Sequence, residues 1–315
     1  MKVSVLIPVY GVERYIEECA RSLMEQTYGD IEYIFVDDCT PDDSINRLRD
    51  VIGRYPQREP QVKILTHSRN SGLAAARLSA LEAATGDAVL IVDSDDYIAA
   101  NAVECLVGAM QAQGVDIVDG GYAIVAHGKV VKDGVPPHVT GDKYLKMILC
   151  QNVEPNRIWG RLIKRSLFAD GITFTPGIDY CEDYSVLPRL LYSAKRGWVD
   201  NCVYFYRNDN PDSYTNNITA RNAVSFLKAQ QLVGDFMVAT SMWSRYRFAT
   251  EVGWAAVWRF ARRQGMELRI VEEHFSHRPS CLVTRCLCAV LRSKLPLALG
   301  DFAYKAVRNF YLSRQ

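Results

Sequence analysis

The sequence lacks a long hydrophobic run. No stretch of about 18 uncharged apolar residues occurs, so no membrane-spanning helix is expected. It lacks an excess of charge: 37 basic and 36 acidic side chains leave a formal net charge of +1. General nucleic-acid binders are strongly basic, so nucleic acid is not an expected partner. It lacks a cysteine framework. Nine cysteines stand at 19, 39, 105, 150, 181, 202, 281, 286 and 288, an odd number without paired spacing. That pattern reads as reduced thiols in a cytoplasmic protein. It also lacks a leader-like start. Met1 runs at once into Val3-Ser4-Val5-Leu6-Ile7, with no charged n-region or cleavage site, so no signal peptide is expected.

What is present is ordinary for a globular protein. The chain has 315 residues, 49% hydrophobic and 23% charged. That length suggests two units, or one large α/β domain with an extension. It is enough to bury a large core without metals or disulfides.

The first hundred residues alternate strand and helix. Val3-Ser4-Val5-Leu6-Ile7 reads as a buried strand that Pro8 stops. Residues 12–27 read as a helix, with Ile16, Ala20, Leu23 and Met24 on one face. Tyr33-Ile34-Phe35-Val36 is a second strand, followed by a helix over 42–54 and a strand over 62–65. The alanine-rich 71–84 reads as helix, and 88–92 as a fourth strand. Beyond these, 116–125 reads as strand, 128–137 as a turn-rich loop, and 141–151 and 183–194 as helices. Residues 204–207 read as a last strand, and the pattern is helical from about 218, with Trp254, Val257, Trp258 and Ala261 on one face.

Short apolar strands separated by helices imply βαβ units and a mostly parallel sheet. Ligands of such sheets sit beyond the carboxyl ends of the strands. Two strands end there in acids: Asp37-Asp38 and Asp93-Ser94-Asp95-Asp96. Crowded carboxylates repel one another, and Mg²⁺ or Mn²⁺ is a natural partner for such oxygens. Read alone, each cluster is better explained as a solvated turn or helix cap, and it is the pair of them at strand ends that points to function.

The motifs together resemble those of family 2 glycosyltransferases of the GT-A fold. Ser4-Val5-Leu6-Ile7-Pro8-Val9-Tyr10 resembles the family's first strand, and Ser22-Leu23-Met24-Glu25-Gln26-Thr27-Tyr28 its next helix end. The stretch Val36 to Ser44 resembles V-D-D-G-S-T-D-G-S, and Asn70 to Arg77 resembles N-x-G-x-x-x-A-R. Asp93-Ser94-Asp95 resembles the D-x-D metal motif. Trp159-Gly160-Arg161-Leu162 and Cys181-Glu182-Asp183 resemble later elements. The resemblance covers roughly residues 1–215. Gly11, Cys39, Leu78 and Arg161 depart from the pattern, where Asn, Gly, Asn and Lys are usual.

The resemblance implies an α/β, GT-A architecture: a Rossmann-like, mostly parallel central sheet flanked by helices, with a C-terminal helical extension. The glycosyltransferase domain would span 1–215, with 1–100 as the nucleotide-sugar half and 101–215 as the acceptor side; 216–315 would be the extension. It implies an inverting, hexosyltransferase-type enzyme with a nucleotide-sugar donor, UDP-linked by expectation, and a glycan or lipid-linked saccharide acceptor, as in bacterial polysaccharide assembly. Pro8, Tyr10, Asp37, Asp38 and Arg77 would hold the donor, with Asp93 and Asp95. Asp93, Asp95 or Asp96 would ligate Mn²⁺ or Mg²⁺. Asp183 would be the general base, with Glu182 beside it. Two alternatives remain at this stage. A nucleotidyltransferase would carry an early glycine-rich phosphate loop, and none is visible. A non-catalytic binding module would have no need of Asp183.

Charge is uneven at one end. Residues 278–315 hold seven Lys or Arg and the single acid Asp301, a charge of +6, leaving −5 for the other 277 residues. Arg285 and Arg292 share a helical face, and Leu, Phe and Tyr residues surround the basic ones. Such a stretch suits the inner face of an anionic membrane, a dimer contact, or packing on the catalytic domain. His274, His277, Cys281, Cys286 and Cys288 lie nearby, but their spacing does not suit zinc.

Overall fold

The computed structural model describes residues 1–151, 156–210, 219–293 and 295–314, and the chain sorts into two compact units. The first comprises Met1–His138, Ile158–Gly177 and Ala194–Ser213; the second Val139–Arg157, Ile178–Ser193 and Tyr214–Gln315. The expected boundary at 215 falls outside the described residues. The units do not follow one cut there, because two earlier segments sort with the C-terminal helices.

The first unit begins β1 (Val3–Val9), α1 (Ile16–Met24), β2 (Ile31–Asp37), α2 (Ser44–Ile52), β3 (Val62–Thr66), α3 (Leu73–Ala83), β4 (Ala88–Ile91). It continues with β5 (Tyr97–Ile98), α4 (Ala102–Gln113), β6 (Ile117–Ala126), β7 (Lys129–Gly134), β8 (Arg161–Lys164) and β9 (Arg196–Arg207). These strands form one sheet in the order β3-β2-β1-β4-β8-β6-β9-β5, with β7 on β6. β1 pairs in parallel with β2 and β4, and β2 with β3, as the βαβ reading predicts. Beyond β4 the expectation of a mostly parallel sheet is corrected. β8 runs antiparallel to β4 and β6, β7 to β6, and β5 to β9; only β6 and β9 are parallel. For β6 and β7 the reason is local: they are joined by a tight turn at His127-Gly128, both at positive φ, and a two-residue link permits only antiparallel pairing.

Both faces of the parallel half are covered, so β1 is buried along its whole length. Val3, Val5, Ile7 and Val9 share a core with residues of α1, α2 and α4. α3 packs on β1 and β2, and its buried side chains include Ala74, Ala76 and Ala80, small enough for close approach. The predicted strands are all found, but β1 runs on through Pro8 to Val9 instead of stopping at the proline, because Pro8 still pairs in register with Val36. The loop expected over 128–137 is instead strand β7, whose residues Lys129 to Asp133 are exposed and so carry no burial pattern.

The second unit is helical: α5 (Gly141–Leu149), α6 (Glu182–Leu191), α7 (Ala220–Ala239), α8 (Trp243–Arg263), α9 (Leu268–His274), α10 (Leu282–Arg292) and α11 (Leu297–Ser313). α8 touches α5, α7, α9, α10 and α11, and Trp254, Val257, Trp258 and Ala261 are buried on it as the spacing predicts. Its Glu251 is fully buried and accepts from the Ser280 and Cys281 amides and from the hydroxyls of Ser280 and Thr284, at 2.6–3.0 Å. Burial alone would raise this carboxyl, but those hydrogen bonds hold it low. It thereby caps the start of α10 from a neighbouring helix. No described helix is long and apolar enough to cross a membrane. None of the nine cysteines is disulfide-bonded.

Candidate active site

Because β2, β1 and β4 are adjacent and parallel, their carboxyl ends open on one edge of the sheet. The two acidic clusters therefore share that edge, but their environments differ.

At the end of β2, the carboxylates organise backbone. Asp38 is buried. One oxygen accepts from the Ser71 amide at 2.8 Å and faces His67 Nδ1 at 2.7 Å; the other accepts from the Gly72 amide at 2.8 Å. Gly72 has φ +95°, a conformation that L side chains rarely adopt, and this turns its amide toward Asp38 at the start of α3. Asp37 accepts from the Thr40 amide at 2.9 Å. Asp42 accepts from the Thr40 and Ser44 hydroxyls and the Glu13 amide. Burial works to raise Asp42, and these hydrogen bonds outweigh it to hold the carboxyl below its ordinary range. Pro8 is paired within β1, while Tyr10 just beyond it is 46% exposed.

At the end of β4, negative charge accumulates. Asp93 accepts from Arg77 at 2.6 Å, and the buried Arg77 guanidinium also lies over the Phe174 ring. Asp96 is buried; its oxygens accept from the Tyr204 hydroxyl at 2.7 Å and the Arg207 amide at 2.6 Å. Asp95 accepts from Asn210 at 2.8 Å. Burial, then the charge of Asp93, pushes Asp95 upward; burial and both neighbouring aspartates push Asp96 well upward. Both oxygens of Asp96 are thus committed to the protein, which favours Asp95 and Asp93 over Asp96 as contacts for an ion.

The sequence offers Tyr204, Tyr206 and Arg207 as acceptor-side or core residues, and does not show that two of them hold this loop. Tyr204 accepts from the Asp93 amide at 3.1 Å while donating to Asp96. Arg207 donates to the Asp95 carbonyl at 2.9 Å and to Glu18 at 2.5 Å, with its guanidinium over the Tyr15 ring. These partners lie more than a hundred positions away in sequence, so no local pattern announces them. Trp159 stacks on Tyr204 and Tyr206, at 4.5 and 5.3 Å between ring centroids, as a packed aromatic. Arg161 is fully buried against Asp119 at 2.8 Å, and Arg196 pairs with the same carboxylate. A guanidinium suits that buried pair better than an ammonium would.

The first unit thus carries Pro8, Tyr10, Asp37, Asp38, Asp93, Asp95 and Asp96 at or just beyond its strand ends, with Arg77 reaching Asp93 from α3. Glu182 and Asp183 stand in the second unit, in the first turn of α6. Cys181 precedes them with φ +64°, ending one conformation so that the helix can begin. Carboxylates there interact favourably with the helix dipole. Among the described residues, no group of three or more His, Cys, Asp or Glu side chains is arranged to hold a metal by itself. The donor chemistry still fits a hard divalent cation. Asp93 and Asp95 offer oxygen ligands whose mutual repulsion a cation would relieve, and such ions commonly complete their shell from substrate phosphates and water.

Comparison with known proteins identifies the family and the fold. Residues 4–170 match the profile described as glycosyl transferase family 2. The chain is 31% identical over 223 residues to the uncharacterized glycosyltransferase EpsJ of Bacillus subtilis, a match covering 68% of this chain and 62% of EpsJ. It is 31% identical over 145 residues to the UDP-Glc:alpha-D-GlcNAc-diphosphoundecaprenol beta-1,3-glucosyltransferase WfgD of Escherichia coli, covering 46% of this chain and 55% of WfgD. These matches span less than two thirds of either relative. In three dimensions the chain is similar to residues 1–349 of S. aureus TarS in complex with UDP, with a TM-score of 0.70 and 21% identity, covering all of this chain and 92% of TarS 1–349. The chain belongs to glycosyl transferase family 2 and has the GT-A fold.

Proposed function

We propose that this protein transfers a sugar from a nucleotide-sugar donor, UDP-linked, to a hydroxyl of a glycan or lipid-linked saccharide, with inversion at the anomeric carbon. The observation that carries this reading is the acidic loop after β4, braced by Arg77, Tyr204, Arg207 and Asn210 on the edge where β1 and β2 also end. UDP bound to TarS and the UDP-glucose donor in the name of WfgD support the choice of nucleotide. The undecaprenol-linked substrate in that name supports the acceptor class.

In this reading Tyr10, Pro8 and the turn organised by Asp37 and Asp38 receive the base and ribose. Asp95, with Asp93, would hold Mn²⁺ or Mg²⁺. When bound, that ion supplies neutralisation of charge on the departing diphosphate. Arg77 fixes the carboxylate of Asp93, and Tyr204 and Arg207 fix the loop backbone, so the ligands are oriented before substrate arrives. Asp183 takes the proton of the attacking hydroxyl, a weak nucleophile until that proton has an acceptor. Glu182 adds negative charge beside it. A single base with no nucleophilic carboxylate at the sugar gives direct displacement, hence inversion.

The test is a donor screen with Mn²⁺ or Mg²⁺, followed by the Asp183→Asn variant. Turnover should fall by about 10²–10⁴-fold, the usual contribution of a general base, with UDP binding retained. Turnover equal to wild type would remove Asp183 from this role.

A further inference from the structure

The last two helices carry an apolar surface that the protein leaves uncovered. On α11, Leu299, Phe302, Ala306 and Phe310 recur at intervals of three, four and four, which places them along one helical stripe. Phe302 is 72% exposed, Phe310 59% and Leu299 53%. The buried residues of this 17-residue helix are Gly300 and Tyr304, on the opposite side. On α10, Leu282 is 71% exposed and Val283 47%, while Thr284, Leu287, Cys288 and Leu291 face inward. The two helices touch, with Gly300 close to Leu291. Exposed large apolar groups gathered on adjacent elements signal a binding surface, not scattered surface residues.

The charged side chains carried by these two helices are basic apart from Asp301, and one of them, Arg292, is paired with Glu272 of α9. Arg285, Lys305 and Arg314 are exposed along the same two helices and the residue that follows them. Arg314 lies over the Phe310 ring at 4.1 Å. Asp301, the single acid of the segment, is turned inward and paired with Arg259 and Arg263.

We propose that α10 and α11 dock on an anionic phospholipid surface, with Leu282, Leu299, Phe302 and Phe310 entering the headgroup layer and Arg285, Lys305 and Arg314 meeting lipid phosphates. Charge decides between this occupant and a second copy of the chain. A two-fold contact sets the same patch against itself, which would bring this basic surface onto its own image. An anionic bilayer supplies both the apolar layer and the opposite charge. The proposal stands apart from the sugar-transfer reading, because it needs no donor and no turnover.

The experiment is co-sedimentation of the full chain with phosphatidylcholine vesicles, with and without phosphatidylglycerol, at low and physiological ionic strength. Wild type should pellet with the anionic vesicles, more weakly as salt rises, and little with phosphatidylcholine alone. Phe302→Ser with Phe310→Ser should lower partitioning by about tenfold or more, since burial of a phenylalanine ring is worth at least that factor. Arg285→Gln with Lys305→Gln should lower it several-fold and flatten the salt dependence. All four side chains are exposed, so circular dichroism and Tm should match wild type. The proposal is overturned if wild type stays in the supernatant with anionic vesicles, or if the Phe pair partitions like wild type. It is equally overturned if light scattering shows a dimer that the Phe pair dissolves while vesicles bind nothing.

Discussion

The two acidic clusters are made of the same residue type, stand on the same sheet edge, and do opposite things. After β2, the carboxylates of Asp38 and Asp42 are used up by amides, hydroxyls and an imidazole, and charge is compensated within the turn. After β4, Asp93, Asp95 and Asp96 crowd together, and burial with mutual repulsion pushes Asp95 and Asp96 upward. The first cluster is therefore architecture. The second stores a negative potential that the fold does not fully neutralise. Aspartate at a strand end is informative about function only once its donors are known.

The sharpest way to break this contrast is substitution in each cluster. Asp95→Asn should cost about 10²–10³-fold in turnover, the range for losing a charge-stabilising group in an active site, without lowering Tm. Steady-state kinetics and a thermal melt would show both. Asp38→Ala should do the reverse in stability, costing about 2–4 kcal/mol in urea denaturation, because it orphans buried amides at Ser71 and Gly72. If Asp38→Ala were as stable as wild type, the architectural role would fail.

Cys39 offers a gentler test of the β2 turn. It has φ +58°, where the family usually places glycine. A non-glycine residue there costs about 1–2 kcal/mol, so Cys39→Gly should stabilise by about 1 kcal/mol, less the extra entropy of the unfolded glycine chain. A loss of stability would show that the thiol contributes something the backbone does not.

The smallest expected effect is in pH dependence, where the clusters differ in sign. Asp42 is held low, so its contribution is present above the ordinary carboxylate range and is lost as pH falls toward its lowered value. Asp95 is raised, so the folded state binds more protons than the unfolded one above that range. Its contribution therefore declines as pH rises through its raised value. In metal-free buffer, Asp95→Asn should gain stability relative to wild type on going from about pH 4 to about pH 8. An equal difference at both pH values would contradict the stored charge.

The sequence made the parallel half readable because β1, β2 and β4 are buried on both faces, and continuous apolar runs such as Val3 to Ile7 leave few other readings. It did not reveal β7, whose residues are exposed, or β8, which has only four residues. The motifs point to Asp93, Asp95 and Asp96 alike; what sets Asp96 apart is its bonding to Tyr204 and the Arg207 amide. Those residues approach from β9, whose pairing depends on contacts far apart in the chain. Likewise, no composition shift marks Val139–Arg157 and Ile178–Ser193 as belonging with the helical unit; packing assigns them there. The exposed stripe of α11 was visible as a basic, aromatic tail, but only the fold shows which of its residues face outward.

The central claim is that the β4 loop needs a divalent cation to receive a nucleotide diphosphate, and it can be read directly from ligand-induced stabilisation. UDP should raise the Tm of wild type in the presence of Mn²⁺, much less in its absence, and by neither route in Asp95→Asn. An equal shift with and without Mn²⁺, or an undiminished shift in Asp95→Asn, would contradict the account.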